Sequence, residues 1–301
     1  MPQKRKYSGE DLAPKPYCKC WNRRALPLDT CTCGEDNTYE KDWRWERPES
    51  TVPSWVVVSK DARQVMLHPY YSEGTAVVKG DTPLRPNYHY YWEVKMLSET
   101  YGTDISIGIG SNKVNIESSQ HIFTSLLGQD SESYGLSYRG VLKHKSMELS
   151  SGPGFCQGTI IGIRVDMWQG TLEFYLNRES QGVSFYNLRR HEALYPMASS
   201  TAARTSLRLV CAASWRASLL VAAARALGAA PPALPPGLRR TLNKHFWLTL
   251  PTGALPDEDD DDDEVALKKK TGIFGEAMVS HYIRGFCVDN VDRSNRLVLW
   301  Q

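Results

Sequence analysis

Four cysteines, Cys18, Cys20, Cys31 and Cys33, lie within sixteen residues as two C-x-C pairs, CKC and CTC. Four thiolates are enough to close a tetrahedral zinc site, which makes this the one metal candidate in the sequence. Ten residues separate the pairs, a length that can fold back on itself. Against a metal, C-x-C is a less usual spacing than C-x-x-C. The intervening loop has Pro27 and few other turn residues, and nothing near it supplies a supporting shell. The balance predicts no bound metal and no other cofactor.

Catalytic chemistry has no local signature. The chain contains no G-x-S-x-G, no P-loop, no H-E-x-x-H and no G-x-G-x-x-G. GIGSNK at 108–113 lacks the third glycine and reads as a hairpin turn. The seven histidines are scattered, with no pair at metal spacing, and Asp104, Asp130 and Asp166 sit in turn-like contexts that suit structural duty. No catalytic residue is predicted, and the chain is expected not to be an enzyme.

The elements that would position any site must come from 301 residues, 41% hydrophobic and 23% charged, an ordinary balance for a folded protein. A net charge of +2 gives no electrostatic reason to expect nucleic acid or a membrane as partner. The amino terminus, MPQKRKYSGEDL, has a basic start without an apolar core, so it does not read as a secretory signal. The longest apolar run, Ala217 to Ala230, is broken by Arg225 and is too short to span a bilayer. Seven thinly spread cysteines suit a reducing compartment. The expected location is the cytoplasm, the nucleus or both.

Strand signals recur every eight to twelve residues, as in a β-sandwich. VPSWVVV, QVMLH, GTAVV, HYYWEVKM, DISIGIG, YGLSY, TIIGIRVDM, TLEFYLN, GVSFY, LYPMAS and SLRLV are the candidates, parted by Gly, Asn, Asp or Pro. Leu172, Phe174 and Leu176 alternate onto one face, as do Ile161, Ile163 and Val165. We place an all-β domain at 40–212, after a flexible cysteine-bearing segment at 1–39.

Composition then changes abruptly. Ser218 is a good N-cap, and Leu219, Ala223 and Leu227 recur at i, i+4, i+8 on one helical face. Gly228, Pro231 and Pro232 end that helix, and a second stripe follows through Leu238, Leu242 and Phe246. Two such short helices cannot bury this apolar surface against each other. They either cap the β domain or wait for a partner. Residues 251–301 carry the acidic block DEDDDDDE at 257–264 and read as a disordered tail.

The landmarks YYWEVKM (90–96), ISIGIG (105–110), SESYGLSYRG (131–140), VDMWQGTLEFYLN (165–177) and LYPMAS (194–199) resemble, in order and spacing, the SPRY (B30.2) family. That resemblance implies a curved β-sandwich that binds peptides or proteins through loops at one end. Followed at once by Ser218-Leu219, Ala223 and Leu227, it is similar to the SPRY domain-containing SOCS box protein family. In that family a small α-helical SOCS box, here 213–250, docks elongin C and elongin B through this helix, where Ala223 replaces the usual Cys. A competing start at Ser206-Leu207 is rejected because SLRLV alternates as a last strand. The cullin-binding half resembles the family only in part: Pro232-Ala233-Leu234-Pro235 departs from Leu-Pro-aliphatic-Pro in its first two positions. The resemblance assigns Leu234, Pro235 and Leu238 to a cullin of the fifth type with its RING protein.

For the target, a protein carrying a short peptide degron, the resemblance implies a surface of Thr75, Tyr101, Gly102, Phe123, Leu126, Ala202 and Ala203. Relatives grip an Asn-rich peptide with a Tyr and a Trp where this chain has Phe123 and Ala202, so a different degron is expected. The reading is therefore a non-catalytic substrate receptor of a cullin-RING ubiquitin ligase, directing its target to ubiquitination and proteasomal degradation. The alternative is a free-standing SPRY interaction module whose terminal helices only cap the sandwich.

Overall fold

Turn residues cut the β-branched and aromatic runs into thirteen strands among the described residues. The computed structural model describes residues 13–22, 30–35, 42–48, 55–219, 221–223 and 237. In chain order the strands are β1 (Val56–Val58), β2 (Gln64–Leu67), β3 (Ala76–Lys79), β4 (Tyr88–Met96), β5 (Ile105–Gly110), β6 (Ser133–Ser137) and β7 (Val141–His144). They continue as β8 (Met147–Ser150), β9 (Ile160–Asp166), β10 (Thr171–Leu176), β11 (Glu179–Phe185), β12 (Tyr195–Ser200) and β13 (Thr205–Arg216). One antiparallel sheet runs β1-β2-β13-β4-β9-β10-β11 and the other β3-β12-β5-β6-β7-β8.

The alternation read from sequence sets the interface between the sheets. Ile161, Ile163 and Val165 of β9 and Leu172, Phe174 and Leu176 of β10 join Trp92 and Val94 of β4 in one core. Ile105, Ile107, Ile109, Tyr134 and Leu136 meet them from the opposite sheet. Each such side chain, fully buried, contributes roughly 1.5–3 kcal/mol. Trp92 stands edge-on to Trp43, with ring centroids 5.8 Å apart, and plugs the core as its position in the strand suggests.

Asp166 builds the β9–β10 turn. Its carboxylate accepts the N–H groups of Trp168 and Gln169, each at 2.9 Å, and its carbonyl accepts the Gly170 N–H at 2.7 Å. Gly170 closes this turn at φ +75°, where a side chain would be strained. Asp104 is likewise structural, accepting the hydroxyls of Ser125 and Ser137. GIGSNK starts the connection of an antiparallel β5–β6 pair, but not as a tight turn: the Val114 N–H bonds the Ser111 carbonyl at 3.3 Å, and a long loop follows before Ser133 pairs back with Gly110.

Two further differences shape everything below. β13 continues to Arg216, past the expected domain end at 212, and carries a bulge between Leu209 and Cys211. One extra residue there reverses the alternation. Leu207 and Leu209 face the core before the bulge. After it Ala212 does, and Cys211 turns to the outer face beside Tyr91 and Tyr175.

That outer face is polar yet buried. Glu93 and Lys95 of β4, Arg164 of β9 and Glu173 of β10 all lie out of solvent. Part of their cover comes from the segment expected to be flexible. The Tyr17 N–H bonds the Gly158 carbonyl at 2.9 Å, and the Lys15 carbonyl accepts from Thr159 Oγ1 and Asn177 Nδ2, each at 2.9 Å. Arg178 donates to the Gly34 carbonyl at 2.8 Å, and Glu35 pairs with Arg208 at 2.8 Å. Residues 13–22 and 30–35 are thus part of the β domain, held by polar bonds that hydrophobic periodicity does not reveal.

Candidate protein-docking surfaces

The chain leaves β13 and turns directly into a helix. Ser218 caps it as expected: its Oγ accepts the Val221 N–H at 3.3 Å, and its carbonyl accepts the Ala222 N–H at 3.0 Å. Helical residues 219 and 221–223 follow. The two faces of this turn have opposite fates. Val221, 3% exposed, packs on Tyr91, Tyr175 and Cys211, the patch that the β13 bulge created. Leu219, four residues before Ala223, is 87% exposed, and Ala223 is exposed as well.

Leu219 is not isolated. Trp168, from the β9–β10 turn, is also exposed and lines the same cleft with His89, Ala217, Ser218 and Ala222. An exposed Trp and Leu lining one cleft at the end of β13 make an apolar patch of the kind that protein partners cover. Sequence reasoning missed Trp168 because Asp-x-x-x-Gly turns are read for their backbone, not for what they display.

A second surface lies at one end of the sandwich, where four loops meet. Tyr101 donates its hydroxyl to the Ala203 carbonyl at 2.6 Å, and Ser72 donates to the Thr201 carbonyl at 2.7 Å. Thr75 Oγ1 donates to the Ile122 carbonyl at 2.7 Å and accepts the Thr124 N–H at 3.1 Å. Gly102, exposed at φ +85°, offers its carbonyl to Tyr138 and Arg139. Tyr101 and Phe123 stand in solvent here, Phe123 at 52%, and Ala203 is half-buried.

Three expected surface residues are corrected. Leu126 is buried with Val114, Leu127 and Met197. Thr75 is buried because its hydroxyl ties two loops together, and Ala202 is buried because it belongs to the main core. These three support the surface from beneath and offer no side chain to a partner. In their place stand Tyr70, Tyr71 and Ile122, all exposed, which a search confined to the family's landmarks passed over.

The cysteines also fall differently from expectation. The two C-x-C pairs converge, with Cys18 Sγ 3.5 Å from Cys31 Sγ and Cys20 Sγ 3.6 Å from Cys33 Sγ. A supporting group exists too: the Lys95 ammonium lies 3.2 Å from Cys31 Sγ. Burial works against the Cys31 thiolate, but the Cys33 N–H and Lys95 outweigh it and lower its pKa to about 6. Leu227, Leu234, Pro235, Leu238 and the acidic block lie outside the described residues.

Comparison with known proteins shows what this chain is similar to. The family model described as SPRY domain matches residues 89–212. SPRY domain-containing SOCS box protein 3 of Xenopus tropicalis is 40% identical over 255 residues, covering 80% of this chain and 68% of that protein. The protein of the same name from Xenopus laevis matches to the same extent. Among solved structures, the SPRY domain of human HERC1 is similar with a TM-score of 0.42 and 19% identity, over 52% of this chain and 92% of that one.

Proposed function

Because this chain belongs to the SPRY domain-containing SOCS box protein family, we propose that it is a substrate receptor of an elongin B/C–cullin-RING ubiquitin ligase. The observation that carries the reading is the split at the start of the C-terminal helix. Val221 anchors the helix to the sheet while Leu219 and Ala223 face outward at the spacing an elongin C pocket would take. Among the described residues of this helix, the larger Leu219 is out and the smaller Val221 is in, the reverse of what capping the domain alone would favour.

In this reading the chain performs no chemistry. It brings a target to the ligase and raises the target's effective concentration beside the ubiquitin-charged enzyme. Tethering needs rigidity as well as affinity. The helix begins two residues after β13 and is bolted by Val221, so the loop-end surface and the elongin surface keep a fixed separation. Leu234, Pro235 and Leu238 would supply the cullin contact, and the complex would act in the cytoplasm, the nucleus or both.

The test is co-expression of the full chain with elongin B and elongin C, followed by affinity capture and gel filtration. A stoichiometric ternary complex is expected. A chain that elutes alone, soluble and folded, favours the free-standing SPRY module instead, a reading to which the buried Val221 lends its support.

The target surface makes a separate prediction. Phe123→Asp should leave stability within about 0.5 kcal/mol, since half the ring is already in water. Capture of the target by this variant should fall at unchanged elongin binding. A fall of many degrees in the melting temperature would place Phe123 in the core and remove it from the docking surface.

A further inference from the structure

We propose that Cys18, Cys20, Cys31 and Cys33 bind one zinc ion, closing a clasp that holds the amino-terminal segment on the seven-stranded sheet. All four sulfurs lie within 4.8 Å of one another. Zinc–sulfur bonds of about 2.3 Å set the edges of a ZnS4 tetrahedron at about 3.8 Å. The observed 3.5 and 3.6 Å separations are the closest approaches in a cluster already near that size. Two independent disulfides would need only pairwise contact, at a sulfur separation near 2 Å, and would give no reason for four sulfurs to gather.

The local backbone is shaped for this arrangement. Cys20 lies in a 3-10 turn, Lys19–Asn22, which brings the first pair round. The second pair is followed by Gly34 at φ +81°, where a Cβ would come within 2.4 Å of Ile160 Cδ1. Only glycine lets the chain turn there and stay pressed on β9. The Glu35 N–H then closes onto the Thr32 carbonyl at 2.9 Å.

Charge is the independent argument. Lys95 is fully buried, and its ammonium donates to Cys31 Sγ at 3.2 Å and to the carbonyls of Cys31 and Cys33, each at 3.0 Å. Among the described residues it forms an ion pair with no carboxylate. Its three acceptors are two carbonyls and the Cys31 sulfur, so that thiolate is the one anion within its reach. Four thiolates around a divalent ion carry a net charge of −2, a stronger counter-charge beside this buried cation than a single thiolate. Four protein ligands also leave no open position, so the site is structural and takes no part in catalysis.

The full chain, purified with reductant and without chelator, should hold about one zinc per molecule by elemental analysis. The double variant Cys20→Ser/Cys33→Ser should lose it, and Cys156→Ser, outside the cluster, should keep it. Cobalt added to the zinc-free chain should give the absorption of a tetrahedral tetrathiolate. The proposal is overturned if the double variant keeps its zinc, or if neither metal binds the reduced wild-type chain. It is also overturned if denatured protein prepared without reductant shows four fewer free thiols than the seven in the sequence, the mark of two disulfides.

Discussion

Leu219→Ser should abolish recovery of elongin C with the full chain while leaving the β domain's melting temperature unchanged. The first half of this expectation rests on the anchor. Truncating an apolar side chain buried in a partner's pocket costs about 2–5 kcal/mol, which is about 30-fold to several thousand-fold in affinity. The second half rests on exposure. With 87% of its surface in water, Leu219 contributes little to the isolated fold. Val221→Asp makes the opposite pattern. It places a carboxylate against Tyr91, Tyr175 and Cys211, so stability should fall while the Leu219 face remains intact. Elongin C captured by Leu219→Ser at wild-type yield would show that the docking register is wrong.

That contrast marks how far the sequence could be read. Ser218 was legible as a cap because capping is a local matter of one hydroxyl and two N–H groups three and four residues on. The interleaved cores of β9 and β10 were legible because alternation is local too. What the alternation could not show is that both faces of these strands are buried. The outer cover comes from Lys15, Tyr17, Gly34 and Val221, far away in sequence and joined by single polar bonds or one small side chain.

The missed hairpin, β7 with β8, has the same kind of cause. VLKH and MELS carry charge inside the strands, and Lys143 pairs across to Glu148 at 2.6 Å. Cross-strand charge substitutes there for β-branched packing, so a scan for apolar runs passes over it. The bulge at Val210 is harder still. Nothing in SLRLVCAASWR announces which residue is the extra one, yet its position decides that Cys211 faces the helix and Ala212 the core. For the cysteines, the spacing was visible and Lys95 was not, because a supporting group sixty-four residues away becomes a neighbour only once β4 is placed.

Glu93→Ala should be the most damaging single change on that outer face. Glu93 is fully buried and accepts both Arg178 Nε at 2.9 Å and Nη2 at 3.0 Å, along with the Tyr91 hydroxyl at 2.8 Å. Burial alone would weaken the Arg178 charge, but the two bonds from Glu93 reverse this and raise its pKa. Removing the carboxylate leaves a guanidinium and a phenol beneath the amino-terminal segment without their main acceptor. Breaking one partner of a buried pair costs about 3–5 kcal/mol. Arg178 keeps 26% exposure and a second acceptor in the Gly34 carbonyl, so the lower end applies. For a domain near 200 residues, about 3 kcal/mol lowers the melting temperature by about 6–12 °C. The double variant Glu93→Leu/Arg178→Met should recover much of the loss, because it removes both charges and keeps comparable volume. Calorimetry on the wild type, Glu93→Leu, Arg178→Met and this double variant closes a cycle that measures the coupling. Equal and additive losses from the two single changes would mean that the pair is not what holds the segment down.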